Sequence, residues 1–201
     1  MPPLEGPRWS PNRYAFPPKN KLPMDWYIQW VTESPFTSAF LQFAILGTLG
    51  ELISFWLRSK KAAMPCSSLM LLGKIAAWGV LGIIIKLGFT GMRGFVSALN
   101  EHSLVPEFLT GTIGMAFVLS VNTNLFFGPQ MMFFHRVEEN LLARRWNMSG
   151  LTKAWLTLIW FWIPAHTVTF SLPKEFQIGL AALWSVALGL VMGLTAPAKT
   201  A

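Results

Sequence analysis

Residues Ala154–Leu194 read AWLTLIWFWIPAHTVTF, then SLPKE, then FQIGLAALWSVALGLVMGL, and the rest of the chain is organised around them. Two strongly apolar runs, of 17 and 19 residues, flank a break that carries one Lys and one Glu. Each run is near the length that crosses roughly 30 Å of hydrocarbon at about 1.5 Å per residue. Pro173 suits the start of the second helix, where a missing N–H leaves no helical bond unmade. The unit reads as a helical hairpin whose natural solvent is lipid.

Composition extends that reading outward. The chain has 201 residues, is 53% hydrophobic and 12% charged, and has a mean hydropathy of +0.45. A soluble domain carries about twice that charged fraction. Trp and Phe are abundant, as they are at bilayer interfaces and between packed helices. A single cysteine, Cys66, excludes an internal disulfide and any multi-Cys metal site. A net charge of +7 would suggest nucleic acid in a soluble protein. Here the basic residues cluster beside apolar spans, so the lipid bilayer is the expected partner and nucleic acid is not.

Three further spans precede the hairpin. Residues 1–35 form a polar lead, in which Pro2, Pro3, Pro7, Pro11, Pro17, Pro18 and Pro23 exclude a long helix. With no apolar run near Met1, a cleaved secretory signal is not expected. Arg8, Arg13, Lys19 and Lys21 among Trp9, Tyr14 and Phe16 suit a segment on headgroups, or equally a disordered tail. DWYIQWVTE follows as an interfacial turn or short helix. The first span is 36–57, stopped by Arg58, Lys60 and Lys61. The second is 69–89, followed by a glycine-punctuated region and a polar loop. The third is 108–127, interrupted by Gly128-Pro129. In MMFFHRVEENLLARRW, Phe134, Val137 and Leu141 recur at helical spacing with charges between them, which predicts a short amphipathic helix at the interface. The bundle thus covers 36–194, with a short polar tail at 195–201. If all five segments cross, the basic loops at 58–61 and 136–153 face the cytoplasm or matrix and the N-terminus lies opposite; the basic residues of the lead oppose that assignment.

Charges inside the spans are the informative residues, since each costs about 2.5–3.5 kcal/mol at mid-bilayer. Glu51 lies six residues before Leu57, and Lys74 five after Leu69. In an antiparallel hairpin both sit roughly 8–9 Å inside one boundary, so they are expected to face each other or to line a polar path. The alternative is separate snorkelling to headgroups, which is also the expectation for Lys86 and Arg93. His135, Arg136, Glu138 and Glu139 form either a charged mouth to such a path or a solvated helix face. His166 follows Pro164, which frees a carbonyl near Trp160 and kinks its helix; the imidazole either donates to that carbonyl or joins the path, with Trp162 and Pro164 shaping it. Ala181, Ser185, Gly189 and Gly193 make a small-residue stripe for close helix packing, and glycine pairs at 47/50, 79/82 and 111/114 supply notches on the first three spans.

Enzyme signatures are absent: there is no Gly-rich phosphate loop, HExxH or G-x-S-x-G. His102, His135 and His166 lie on different segments at no ligand spacing, so neither a metal nor a cofactor is expected.

The hairpin resembles the Mpv-seventeen/peroxisomal membrane protein twenty-two family of small multi-span proteins. That family has a Trp-Pro, a Phe and a Val-Pro leading into a last apolar helix with its Trp. This chain has Trp162-Ile163-Pro164, Phe170, Leu172-Pro173 and Trp184. Gly47-Thr-Leu-Gly50-Glu51 is similar to the family's Gly-Asp, and Gly94-Phe95 with Leu99 to its aromatic stretch after the second span. The chain departs from the pattern where Ile163 separates Trp from Pro, where Gln177 replaces a basic residue, and where Ile85-Lys86 stands for Gly-Pro. The resemblance implies a small multi-span protein of an organelle membrane, with pore or channel activity proposed for some members.

Together these readings predict an all-α polytopic transmembrane bundle of four to five spans with an interfacial amphipathic helix. It is expected to be non-enzymatic, a small channel or transporter-like pore for ions or small solutes. The alternative is a structural subunit or anchor of a larger membrane complex, with the lead as docking arm and the small-residue stripe as partner interface. A bacterial inner membrane is favoured over a mitochondrial or peroxisomal one, and partners beyond lipid would be a second copy of the chain or other membrane subunits.

Overall fold

The computed structural model describes residues 24–194, and within them the chain is all-helical. Most of the proline-rich lead and the 195–201 tail lie outside the described residues. A short helix, α1 (Asp25–Glu33), precedes α2 (Pro35–Ser59), which Pro35 opens and the left-handed Lys60 closes. Ser67 caps α3 (Ser68–Glu101), its side chain accepting from the Met70 N–H. After a 3₁₀ turn at Glu107–Leu109, α4 (Thr112–Asn122), a π turn (Thr123–Phe127) and α5 (Gly128–Ala143) form one uninterrupted rod. A second such rod joins α6 (Leu151–Thr157), a π turn (Leu158–Trp162) and α7 (Ile163–Ser171). The last helix is α8 (Lys174–Leu194), directly after Pro173. Two helices, α2 and α3, are each long and apolar enough to cross a membrane.

The boundaries differ from the sequence expectation at three places. The second apolar segment does not end at Phe89, because α3 continues about three turns to Glu101. Glycines at 88, 91 and 94 each disfavour helix by about 1 kcal/mol, but tertiary contacts outweigh them. Gly88 lies against the Phe127 ring, Val96 is buried in the core, and Arg93 reaches across to α8. Gly128-Pro129 does not interrupt the third segment. A π turn immediately before each of Pro129 and Pro164 widens the helix where the proline ring would otherwise meet a preceding carbonyl.

The third difference follows from the second. Residues 131–143 are not a separate interfacial helix but the continuation of the α4 rod, and they face inside out. Phe134 and Leu141 are exposed, while His135, Arg136 and Glu139 turn inward. An amphipathic pattern alone does not say which face is inside, and here the charged face is the inner one.

Helix α2 is central, packed antiparallel on α3 and parallel on α8. The parallel contact depends on Gly50, where a Cβ would stand 2.6 Å from the Ser185 carbonyl oxygen. Gly82 has the same function against α2, a Cβ there falling 2.5 Å from the Ala39 carbonyl. The notch expected at 111/114 is not an inter-helix one, because Gly111 faces open space and Gly114 packs on its own 3₁₀ turn at Leu109. The buried core gathers Phe43, Phe89, Phe170, Ile178 and Ala182 toward the end of the bundle away from the 60–67 loop.

Candidate functional site

A cavity of about 360 Å³ runs along the bundle interior, lined by all five rods. Its lining extends along the α4–α5 rod from Thr123 to Glu139, roughly 24 Å of axial rise at 1.5 Å per residue. The walls between are apolar, with Leu81, Ile85, Phe127, Met131 and Leu158 among them. At one end the lining carries Glu51, Arg58, His135, Arg136 and Glu139. At the other it stops at Phe43, Phe89 and Ala181, all members of the close-packed core. The space is therefore a vestibule with a charged mouth and an aromatic floor.

The mouth is built by α2, α3 and α5. Lys74 Nζ pairs with Glu51 Oε1, and Trp78 Nε1 donates to Glu51 Oε2 at 3.3 Å. The Trp78 ring lies 4.7 Å from that of His135, which ties the carboxylate on α2 to the charged face of α5. Arg136 Nη1 donates to Glu139 Oε2 at 2.9 Å, and His135 Nδ1 stands 3.7 Å from Glu138 Oε2. Lys74 and Glu138 line an adjoining cavity of about 180 Å³ that shares Glu51, Trp78, His135, Arg136 and Glu139 with the first.

The floor is built by the two π turns, which lie against each other. Asn124 Nδ2 donates to the Ser120 carbonyl at 2.8 Å and stands 3.1 Å from His166 Nδ1. With both amide hydrogens so used, His166 Nδ1 is the acceptor, and the ring proton sits on Nε2. His166 makes no bond to a carbonyl near Trp160, its partner being Asn124; separately, Ser120 Oγ donates to the Ile163 carbonyl at 2.7 Å, which fastens the two rods together. The imidazole packs edge-on against Phe89 and tilted against Trp162 and Phe170.

The structure thus brings Glu51, Lys74, His135, Arg136, Glu138 and Glu139 to one mouth, and Trp162 and His166 to the floor of the same cavity. Pro164 is exposed and outside the lining, so it bears on the cavity only by accompanying the π turn. Of the small-residue stripe, Ala181 and Ser185 line the cavity and Ser185 packs on Gly50, while Gly189 and Gly193 follow on the last turns of α8. Arg93 does not snorkel; its Nη2 donates to Gln177 Oε1 at 2.6 Å.

Sequence reasoning missed Trp78, Thr123 and Asn124. A signal was present for the last two: Ser120-Val-Asn-Thr-Asn124 sets four polar residues inside an apolar run, where each must find a partner. Among the described residues, no group of His, Cys, Asp and Glu could hold a metal ion. Comparison with known proteins returns no matching family model, no similar curated protein and no similar solved structure.

Proposed function

We propose that the chain is a multi-pass membrane protein of five spans that conducts small solutes, in the manner of a small channel or transporter, through the interior cavity. The observation that carries this reading is the cavity itself, a charged-mouthed, apolar-walled space of about 360 Å³ between the helices. Its volume falls in the range of about 300–1,000 Å³ common to small-molecule sites. Exposed Leu, Ile and Phe side chains around the outside, such as Ile45, Leu72, Ile113 and Ile159, support immersion in lipid. The aromatic floor supports a gated or alternating path in preference to a permanently open pore.

Orientation follows from charge. Arg58, Lys60, Lys61, Arg144 and Arg145 all fall at the mouth end of antiparallel rods, so the mouth faces the cytoplasm or matrix. A bacterial inner membrane remains the favoured site. The likeness to the Mpv-seventeen/peroxisomal membrane protein twenty-two family is part of this proposal and rests on Trp162, Pro164, Phe170, Pro173 and Trp184. Support for a structural subunit is thinner, because Ser185 of the stripe that would bind partner helices packs on Gly50 within the chain.

Reconstitution tests the proposal. Purified protein in liposomes should accelerate equilibration of small solutes over empty vesicles, and Glu51→Gln should change the rate or the selectivity. Folded protein that leaves permeability at the empty-vesicle level would remove the conduction reading.

A further inference from the structure

The floor of the cavity holds polar groups that the fold leaves unused. Thr123 and Asn124 are 1% and 4% exposed, yet Thr123 Oγ1 and Asn124 Oδ1 have no hydrogen-bond partner among the described residues. Trp162 Nε1 is a third such group. All three residues line the cavity, and His166 joins them, its ring centroid 5.1 Å from that of Trp162 and its Nδ1 3.1 Å from Asn124 Nδ2. A buried polar atom without a partner costs about 1–3 kcal/mol, so three such atoms on residues of one lining favour a ligand that would satisfy them. The two π turns provide the placement, since Thr123 and Asn124 belong to one and Trp162 to the other. Such turns recur at functional sites because they rotate side chains out of the ordinary helical register.

We propose that this floor binds an uncharged molecule with an apolar body and a hydroxyl head that both donates and accepts. This deepens the reading of the cavity as a solute path, and rests on it. The unused groups are one amide oxygen, one hydroxyl and one indole N–H, none of them charged. Glu51, the carboxylate of the lining nearest to α3, is already engaged by Lys74 and Trp78. An ion at the floor would therefore be desolvated without a counter-charge, which is strongly unfavourable. A hydroxyl matches these groups in kind, accepting where the indole N–H donates and donating where the amide oxygen accepts, while Phe127, Met131 and Leu158 of the lining match an apolar body.

Equilibrium dialysis tests the site with the full chain in phosphatidylcholine nanodiscs, empty discs correcting for partition into lipid. The probes are 1-naphthylmethanol, its methyl ether, 1-naphthoate and 1-naphthylmethylammonium, which share one apolar body. The alcohol should be retained beyond empty discs. The ether, which cannot donate, should bind about 3- to 10-fold more weakly, the effect of one hydrogen bond. Asn124→Leu should bring the alcohol down to the ether's level and abolish the distinction. Trp162→Phe should weaken both probes by a similar factor, and it carries the test alone where Asn124→Leu does not fold. No retention by folded protein, a distinction that survives Asn124→Leu, or tighter binding of either charged probe would overturn the inference. Retention of the alcohol without flux in proteoliposomes keeps the site and removes the transport reading; flux without retention does the reverse.

Discussion

Lys74 on α3 pairs with Glu51 on α2 at the mouth of the cavity, and the Trp78 indole, one turn along α3, takes the second carboxylate oxygen. The two charges are 20% and 29% exposed, so they are only partly removed from solvent. Removing one partner leaves the other charge half-desolvated beside an apolar wall. Glu51→Gln or Lys74→Met should each destabilise by about 1–3 kcal/mol, below the range for a fully buried pair. The double variant should lose less than the sum of the two, as groups in contact do. Thermal unfolding of the three variants in detergent checks this; strict additivity would mean that the pair is not energetically coupled.

The contact between α2 and α8 depends on the absence of a side chain at Gly50. A Cβ there meets the Ser185 backbone, which cannot rotate away, so Gly50→Ala should cost about 1–3 kcal/mol by overpacking. Gly91 on α3 faces open space, and Gly91→Ala should stabilise by up to about 1 kcal/mol through helix propensity. Opposite shifts of the unfolding midpoint are the expected result.

Tyr27 on α1 stacks on Phe176 and donates from its hydroxyl to Gln42 Oε1 at 2.8 Å. Burial raises the phenol above its ordinary value of 10.0. The folded chain therefore holds this proton at pH values where the unfolded chain releases it. Stability from this group is complete below pH 10 and lost as pH rises above it. Unfolding followed from pH 9 to 11 should show a decline that Tyr27→Phe reduces.

Under the five-span proposal, Cys66 and the 144–150 loop lie on one side and the 102–111 loop on the other. In a Cys66→Ser background, Ser149→Cys should react with a membrane-impermeant maleimide from the same side as Cys66 in the native chain. Ser103→Cys should react only from the opposite side. Labelling of positions 103 and 149 from one side would reduce the number of crossings.

How much of this was legible in the sequence varied with the physics involved. Helical rods follow from the length and polarity of the apolar runs, and hairpin register alone set Glu51 and Lys74 at one depth, where the structure pairs them. The continuation of α3 to Glu101 was hidden by three glycines, whose local cost is outweighed by contacts distant in sequence. The floor was hidden for a different reason. A π turn moves side chains by one register position, so a regular helical projection of Ser120–Phe127 cannot show that Asn124 meets His166, 42 residues away. The sequence leaves open whether the charged face of α5 points inward, because periodicity identifies two faces without saying which one is the inner.

Under the proposed function, solute passes through the interior cavity. In a Cys66→Ser background, Met131→Cys puts a thiol on the cavity wall, and Phe133→Cys puts one on an exposed position of the same helix. Solute flux into proteoliposomes should be measured before and after each is modified with a bulky thiol reagent. Block at position 131 with flux intact at 133 is the expected result. Flux unaffected at 131 despite complete modification would contradict a path through this cavity.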